Sequence, residues 1–222
     1  MSAGFWGGMF TETAQQLSLT YDGTFSGDSS GVNDIASIGA AGAWTDMATN
    51  IWSTVSGQLV GTTDAGAGYA TQLLRRPDNE AVVDQQISVY VPTTYGTGNA
   101  RLGILLRIQP NGSTDHYLGH QAGGDFYIYR FVSGNLTQLY VPNWGSFSVN
   151  NEYIFKMRAT NSSGDVLLQL FVTDITNDIE YGPFSYTDSA PTKILGAGVC
   201  GLSTWASGTV AVNRVITEPY EA

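Results

Sequence analysis

Cysteine, charge and long apolar segments are all scarce in this sequence of 222 residues. Cys200 is its only cysteine, so no disulfide can form within the chain, and we expect Cys200 to be a buried, inert thiol. Charged residues make up 13% of the chain, about half the usual share. Acidic residues outnumber basic ones by 19 to 9, and the formal net charge of -10 disfavours nucleic acid as a partner, because its phosphate backbone is also negative.

No run of 18 consecutive apolar residues occurs, so we expect no membrane-spanning helix and no membrane partner. Residues 1–10 lack the basic region and the long apolar stretch of a secretory signal peptide. These two absences predict a protein that is assembled in the cytoplasm of a host cell rather than exported.

What the sequence does contain is a series of short apolar or alternating runs, separated by Gly, Asn, Asp, Pro and Ser. Apart from a weak stretch at 34–47, no helical period is sustained, so the pattern predicts an all-β domain over 18–222 with antiparallel strands. The predicted strands are 51–61, 69–75, 81–91, 101–109, 116–121, 126–132, 136–141, 153–160, 166–173, 198–205 and 209–217.

Alternation within these strands predicts which side chains share a face. In the strand at 101–109, Ile104, Leu106 and Ile108 are expected on one face, and Leu105, Arg107 and Gln109 on the other. In the strand at 126–132, Phe126, Ile128 and Arg130 are expected to oppose Tyr127, Tyr129 and Phe131. One face of the sheet therefore packs the core, and the other is semi-polar and aromatic.

The first 17 residues differ from the rest of the chain. Phe5, Trp6, Met9 and Phe10 form an apolar cluster interrupted by glycines, which disfavour a stable helix. Large aromatic side chains on a flexible segment would be unfavourable in water. Either the cluster packs against the domain's own core, or it is an N-terminal docking arm that binds a neighbouring subunit.

The order of motifs in the middle of the chain resembles the concanavalin A-like lectin/glucanase superfamily, of the kind found in phage virion proteins. The resemblance extends over about residues 18–217 and implies a two-sheet antiparallel jelly-roll sandwich. It rests on Leu105-Leu106-Arg107, Tyr117-Leu118-Gly119, Phe126-Tyr127-Ile128-Tyr129-Arg130 and Ser133-Gly134-Asn135-Leu136, followed by Tyr153–Arg158 paired with Val166–Leu170.

Enzymes occur in this superfamily, but this sequence lacks the groups of catalytic residues that they use. Retaining glycosidases need two carboxylates about 5 Å apart, and the nearest match to the laminarinase-like motif offers only Asp178 and Glu180, which we interpret as solvated loop residues. In Gln86-Ile87-Ser88 a serine stands where alginate-lyase-like members have a histidine. We therefore predict no catalytic residues.

Metal binding is predicted only weakly. His116 and His120 are the sole histidines, and on a strand positions four apart lie about 13 Å from each other, too far to share a zinc ion. We expect them to lie on the surface or to line a groove. Calcium is possible, because the resemblance places Asp22 and Asp188 where lectin-like sandwiches brace loops; turn formation is the alternative for both. No other cofactor is expected.

Glycan binding requires flat aromatic rings that stack on sugars and planar polar groups that bond hydroxyls. Packing in the core or at its margin is the alternative for every candidate. Trp144 follows Pro142-Asn143 in a loop, where an exposed aromatic would be unusual without a partner. The candidates are Tyr127, Tyr129, Tyr140, Trp144, Trp205, Arg107, Arg130 and Gln169.

Three hypotheses of function follow. The first is a non-catalytic virion structural protein of a phage tail or capsid surface, with a lectin-like glycan-binding domain. Its partners would be cell-surface polysaccharide and, through the arm, other virion subunits or a second copy of itself. The second is a capsid decoration or cement protein without a ligand. The third is a polysaccharide-cleaving enzyme, a glycosidase or a lyase, of the same fold. The low charge, the arm and the missing catalytic sets favour the first.

Overall fold

A computed structural model describes most of the chain from residue 81 onward and shorter segments before it. The described residues are 21–24, 44–46, 52–63, 73–76, 81–93, 96–98, 101–110, 114–122, 125–144, 147–148, 150–205 and 208–220. The docking arm predicted at 1–17, with Phe5, Trp6, Met9 and Phe10, lies outside these residues. Across the described segments the regular structure is entirely β, and none of them forms a helix that could cross a membrane.

The described residues form seventeen strands, which confirm the predicted all-β class. They are β1 (Tyr21–Thr24), β2 (Thr45–Asp46), β3 (Trp52–Val55), β4 (Gln58–Thr63), β5 (Leu73–Arg75), β6 (Gln85–Val91), β7 (Gly96–Gly98), β8 (Arg101–Ile108), β9 (His116–Ala122), β10 (Asp125–Val132), β11 (Asn135–Tyr140), β12 (Tyr153–Ser162), β13 (Asp165–Asp174), β14 (Ile179–Asp188), β15 (Val199–Trp205), β16 (Gly208–Val212) and β17 (Arg214–Pro219).

The strands form two large antiparallel sheets and one small one. The six-stranded sheet has the order β1-β17-β6-β12-β13-β14, and the seven-stranded sheet has the order β11-β10-β9-β8-β15-β5-β2. Both contribute their apolar faces to one core, in which Phe126 of the seven-stranded sheet contacts Phe155 of the six-stranded sheet. A four-stranded sheet, β3-β4-β16-β7, adds to the two layers that the sequence predicted.

The alternation predicted for β8 holds only as far as Leu106. Leu105 pairs with Gly201 and Ile108 pairs with Val199, so Leu106 and Arg107 together lie opposite the single residue Cys200 in a β-bulge. Arg107 has a φ of 55°, and its N–H donates to Gln85 Oε1 at 2.9 Å. Because the bulge shifts the alternation by one residue, Ile108 lies on the same face as Leu105, and the predicted grouping with Ile104 and Leu106 is wrong.

Strand β14 is absent from the predicted strands, and Glu180, its second residue, was interpreted as a loop residue; the structure corrects this. It forms the edge of the six-stranded sheet, and most of its residues are exposed. A register shift in its pairing with β13 leaves Gly182 and Pro183 together opposite Phe171. Proline and glycine disfavour strand structure, so the sequence signal for β14 is weak.

Candidate functional site

Three aromatic side chains surround a histidine on the outer face of the seven-stranded sheet. The ring centre of His120 lies 6.4 Å from that of Tyr127, 6.1 Å from that of Tyr129 and 5.3 Å from that of Trp205. Cross-strand pairing explains the grouping, since His120 of β9 lies opposite Tyr127 of β10 and opposite Gly103 of β8. We call Tyr127, Tyr129 and Trp205 the aromatic rim; all three are half-buried.

A cation lies at the rim. Arg101 and Trp205 are directly paired between β8 and β15, and the Arg101 guanidinium lies 5.2 Å from the centre of the Trp205 ring. Such cation–π contacts hold a guanidinium in place while leaving its N–H groups at the edge available to donate hydrogen bonds. The rim therefore combines flat apolar rings with a fixed hydrogen-bond donor.

Beneath the rim lies a cross-strand row formed by His120, Gly103 and Ser203, which we call the floor. A Cβ atom on Gly103 would lie 2.0 Å from Ser203 Oγ and 2.8 Å from Leu118 Cδ1, so the Ser203 hydroxyl fills the space over the glycine. His120 is only 2% exposed. Burial, with a smaller effect of the Arg101 charge, lowers the pKa of His120 to about 4, so the imidazole is neutral at neutral pH.

A second, smaller apolar cluster holds the rim in position. It lies on this same outer face, and Tyr129 and Trp205 pack against it. His116 stacks on Phe131 with ring centres 5.2 Å apart, and its Nδ1 contacts the Thr114 carbonyl oxygen. Burial lowers the pKa of His116 to about 4 despite that contact. The cluster consists of Leu105, Ile108, Leu118, Phe131 and Val199.

Of the eight residues predicted to bind glycan, the structure brings together Tyr127, Tyr129 and Trp205. Tyr140 lies at the edge of the seven-stranded sheet and stacks on Tyr186 of the other large sheet, with ring centres 6.1 Å apart. Trp144 has the alternative role of core packing, because its side chain is 4% exposed and packs edge-on against core aromatics.

The two predicted arginines point into the protein rather than toward the rim. Arg130 donates to both carboxylate oxygens of Asp188, at 2.6 and 2.7 Å, in the interior. Arg107 is also buried, and it donates to Asn161 Oδ1 at 2.8 Å and to the Ile194 carbonyl oxygen at 2.7 Å. Both residues join the layers of the sandwich.

Gln169 belongs to a different surface. It lies on β13 in the six-stranded sheet, and its side-chain amide donates to Ser185 Oγ of β14 at 3.3 Å. Because the six-stranded sheet forms the opposite layer of the sandwich, Gln169 cannot contribute to a ligand site at the rim.

The two candidate calcium ligands lie far apart. Asp22 is on β1 and Asp188 is on β14, at opposite edges of the six-stranded sheet, which places about 24 Å between the two strands. Both oxygens of Asp188 are already bound, since Arg130 donates to each of them and the Tyr117 hydroxyl donates to Oδ2 at 2.8 Å. Among the residues with described side chains, no group of three or more metal-binding side chains comes together.

The carboxylates considered for catalysis lie on the six-stranded sheet. Asp178 is in the turn between β13 and β14, with a φ of 55°, and Glu180 follows on the exposed edge strand. Both side chains face solvent, as the sequence predicted.

Sequence reasoning missed Arg101 and Ser203, and it expected both histidines on the surface or lining a groove. The structure corrects the second point, because His116 is 0% exposed and His120 is 2% exposed. One signal was available for His120. The sequence Gly123-Gly124 favours a two-residue hairpin connection. On either side of it Ala122 pairs with Asp125, and this register places His120 opposite Tyr127. No comparable local signal indicates Ser203, whose strand is distant in sequence from β8 and β9.

Comparison with known proteins identifies the fold. No protein-family model matches the chain, and no curated protein matches it significantly. A Bacillus licheniformis beta-glucanase matches with a TM-score of 0.54 and 11% identity, over 90% of this chain and 98% of that one. The chain therefore has the concanavalin A-like jelly-roll fold, as the resemblance in its sequence implied.

Two further solved structures are similar to this chain. A bifunctional GH43-CE protein of Bacteroides eggerthii matches with a TM-score of 0.50 and 10% identity, over 81% of this chain and 28% of that one. Carbohydrate-binding module CBM66 of Bacillus subtilis matches with a TM-score of 0.49 and 16% identity, over 78% of this chain and 91% of that one. At such identities the likeness describes the fold alone.

Proposed function

We propose that the domain binds carbohydrate on the outer face of its seven-stranded sheet and does not cleave it. The observation that carries this proposal is the aromatic rim, in which Tyr127, Tyr129 and Trp205 present half-buried rings beside the Arg101 guanidinium. Aromatic rings stack on the apolar faces of sugars, and planar donors bond sugar hydroxyls. The names of several structural neighbours, which include a carbohydrate-binding module and a beta-glucanase, support the same class of ligand.

The absence of cleavage is part of the proposal and rests on where the carboxylates lie. Glycoside hydrolysis by the usual mechanism needs two carboxylates on either side of the scissile bond. Asp178 and Glu180 lie on a turn and an edge strand of the other large sheet, not beside the rim. A sugar bound at the rim would therefore be held without being brought to these acids.

The rim is tested by removing its rings one at a time. We expect Tyr129→Ala and Trp205→Ala to weaken binding to the best ligand from a glycan array at least tenfold, the change that about 1.4 kcal/mol produces. Phe171→Ala is the matched control, because Phe171 is a half-buried aromatic on the outer face of the six-stranded sheet, where Lys156 and Arg158 cover it. Isothermal titration calorimetry measures the affinities, and thermal unfolding verifies that each variant is folded.

The alternatives give different results. A protein that binds no glycan on the array contradicts the proposal, and tight binding to capsids in that case identifies a decoration protein without a ligand. Turnover of a polysaccharide that Asp178→Ala or Glu180→Ala abolishes would identify an enzyme instead.

We further propose that the domain works on a phage-type virion, at the tail or capsid surface, attached through residues 1–17. The low share of charged residues in the whole chain and the glycine-rich, aromatic composition of residues 1–17 support this location. We expect mass spectrometry to detect the chain in virus particles purified from cultures of the organism that encodes it. The triple variant Phe5→Ser, Trp6→Ser, Phe10→Ser should be lost from those particles, whereas a chain absent from all particles would contradict the proposal.

A further inference from the structure

Three hydrogen-bonding atoms of the floor have no partner. His120 Nδ1, His120 Nε2 and Ser203 Oγ are all shielded from solvent, and none has a hydrogen-bond partner in the structure. Buried polar atoms are almost always hydrogen-bonded, because leaving them unpaired costs the full free energy of their desolvation. Three such atoms in one cross-strand row therefore require an explanation beyond the packing of the sheet.

The position of these atoms indicates a ligand. His120 and Ser203 flank Gly103, and the Ser203 hydroxyl and the Leu118 side chain lie in the space that a side chain on residue 103 would fill. The aromatic rim surrounds this row, with the Trp205 ring 5.3 Å and the Tyr129 ring 6.1 Å from the imidazole. The unpaired atoms thus lie directly beneath the rings proposed to stack on sugar.

We propose that the His120–Gly103–Ser203 floor binds hydroxyl groups of an uncharged sugar and thereby selects neutral glycans over acidic ones. This inference rests on the proposed function and specifies its ligand. The floor atoms lie under the rim, so a hydroxyl group reaches them when a rim ring turns aside. The half-buried Tyr127 ring, which borders His120 at 6.4 Å and is not among the side chains packed against the smaller apolar cluster, is the rim ring expected to move.

The selectivity follows from the chemistry of a neutral imidazole. One ring nitrogen donates a hydrogen bond and the other accepts one. A hydroxyl group does both, so two neighbouring hydroxyls can satisfy both nitrogens and the Ser203 hydroxyl. A carboxylate only accepts, and it would face the lone pair of the accepting nitrogen.

The charge state of the floor also favours neutral ligands over acidic ones. The His120 pKa of about 4 leaves the imidazole uncharged at neutral pH. The Arg101 charge contributes to the lowered pKa of His120, but the guanidinium lies against the Trp205 ring and makes no hydrogen bond to the floor atoms. A carboxylate inserted into the floor would lose its hydration without gaining a cationic partner there, which is strongly unfavourable.

The test uses pairs of oligosaccharides that differ only in one chemical group. Each neutral hexose oligomer that binds the full chain is compared with its C6-oxidised form, in which carboxylates replace the hydroxymethyl groups. We expect the neutral member of each pair to bind at least about tenfold more tightly in calorimetry at pH 7. Equal or tighter binding of the oxidised members would overturn the inference.

Two variants separate binding from stability. His120→Phe and Ser203→Ala remove the unpaired atoms, so we expect each to weaken neutral-glycan binding about tenfold while the thermal midpoint stays the same or rises. The matched control is Thr204→Val. The Thr204 hydroxyl is also buried and unpaired, but its strand neighbours place it on the core face of β15. This variant should keep full affinity.

Failure of the inference and failure of the proposed function are distinguishable. One outcome is that glycans bind and the rim variants lower the affinity, whereas His120→Phe and Ser203→Ala leave it unchanged. In that case the rim is the binding site and the inference about the floor is wrong. If no member of any pair binds, both fail together.

Discussion

Replacing Asp188 with alanine is expected to destabilise the domain by about 3–5 kcal/mol, the usual cost of removing one partner from a buried ion pair. Asp188 is 1% exposed and accepts hydrogen bonds from Arg130, from the Tyr117 hydroxyl and from the backbone N–H of Ala190 at 3.2 Å. Without the carboxylate, Arg130 would be left as an uncompensated charge between the two large sheets. The Tyr117 hydroxyl would lose its acceptor as well.

The Asp188 group joins parts of the chain that are distant in sequence. Tyr117 on β9 also accepts a hydrogen bond from the Ile194 N–H at 2.9 Å, in the segment that leads to β15. Burial, reinforced by Asp188, raises the pKa of the Tyr117 hydroxyl, so it remains a donor to Asp188 at all physiological pH values. Loss of Asp188 therefore affects both large sheets and one connection between them.

Urea unfolding followed by tryptophan fluorescence measures the change. Asp165→Ala is the control, because the Asp165–Lys193 ion pair at 3.3 Å is partly exposed and should contribute no more than about 1 kcal/mol. Calcium distinguishes the two roles considered for Asp188. We expect excess calcium or a chelator to leave the unfolding midpoint of the wild type unchanged, whereas a calcium-dependent midpoint that Asp188→Ala abolishes would show that the residue is a ligand.

Acidification from pH 6.5 to about 4 is expected to remove about 3 kcal/mol of stability for each of the two buried histidines. His116 and His120 both have pKa values of about 4 in the folded chain, well below the value of 6.5 for a free histidine. Within this window the unfolded chain binds protons that the folded chain does not, so stability increases with pH. The full contribution is present above pH 6.5 and is lost as the pH falls toward 4.

Unfolding measured at a series of pH values tests this, with His116→Phe and His120→Phe combined in one chain. The double variant should lose most of the slope between pH 6.5 and 4, although acidic groups will still cause unfolding at lower pH. Phenylalanine keeps a flat ring at both positions, against Phe131 at position 116 and beneath the rim at position 120. An unchanged slope would mean that the histidines are accessible to protons in the folded state.

Local alternation predicted the part of the site that lies on a regular strand. Tyr127 and Tyr129 were expected to share a face opposite Phe126 and Ile128, and they do. The same rule failed at Arg107, because a bulge inserts one residue and exchanges the faces beyond it. The bulge depends on Gly198, the residue immediately before β15, because a Cβ atom there would lie 2.5 Å from the Arg107 carbonyl carbon. No pattern within the sequence of β8 predicts this close contact.

Burial of polar and aromatic side chains was harder to predict from sequence. Trp144 follows a proline in a loop, and only the fold shows that this loop turns the ring into the core. Arg130 occupies a core-facing position of β10, and its presence there depends on Asp188, 58 residues away. Long-range pairing of this kind leaves no periodic trace in the sequence.

Strand β14 has a consequence for how many copies of the domain can be crowded together. An open edge strand usually offers its backbone to a neighbour, but proline lacks the N–H for such pairing and a bulge disrupts the register. Pro183 and the bulge opposite Phe171 therefore make this edge a poor template for a strand from another molecule. Under the proposed function, copies arrayed at high local density would gain avidity from their several sugar sites, while their β14 edges remain unpaired.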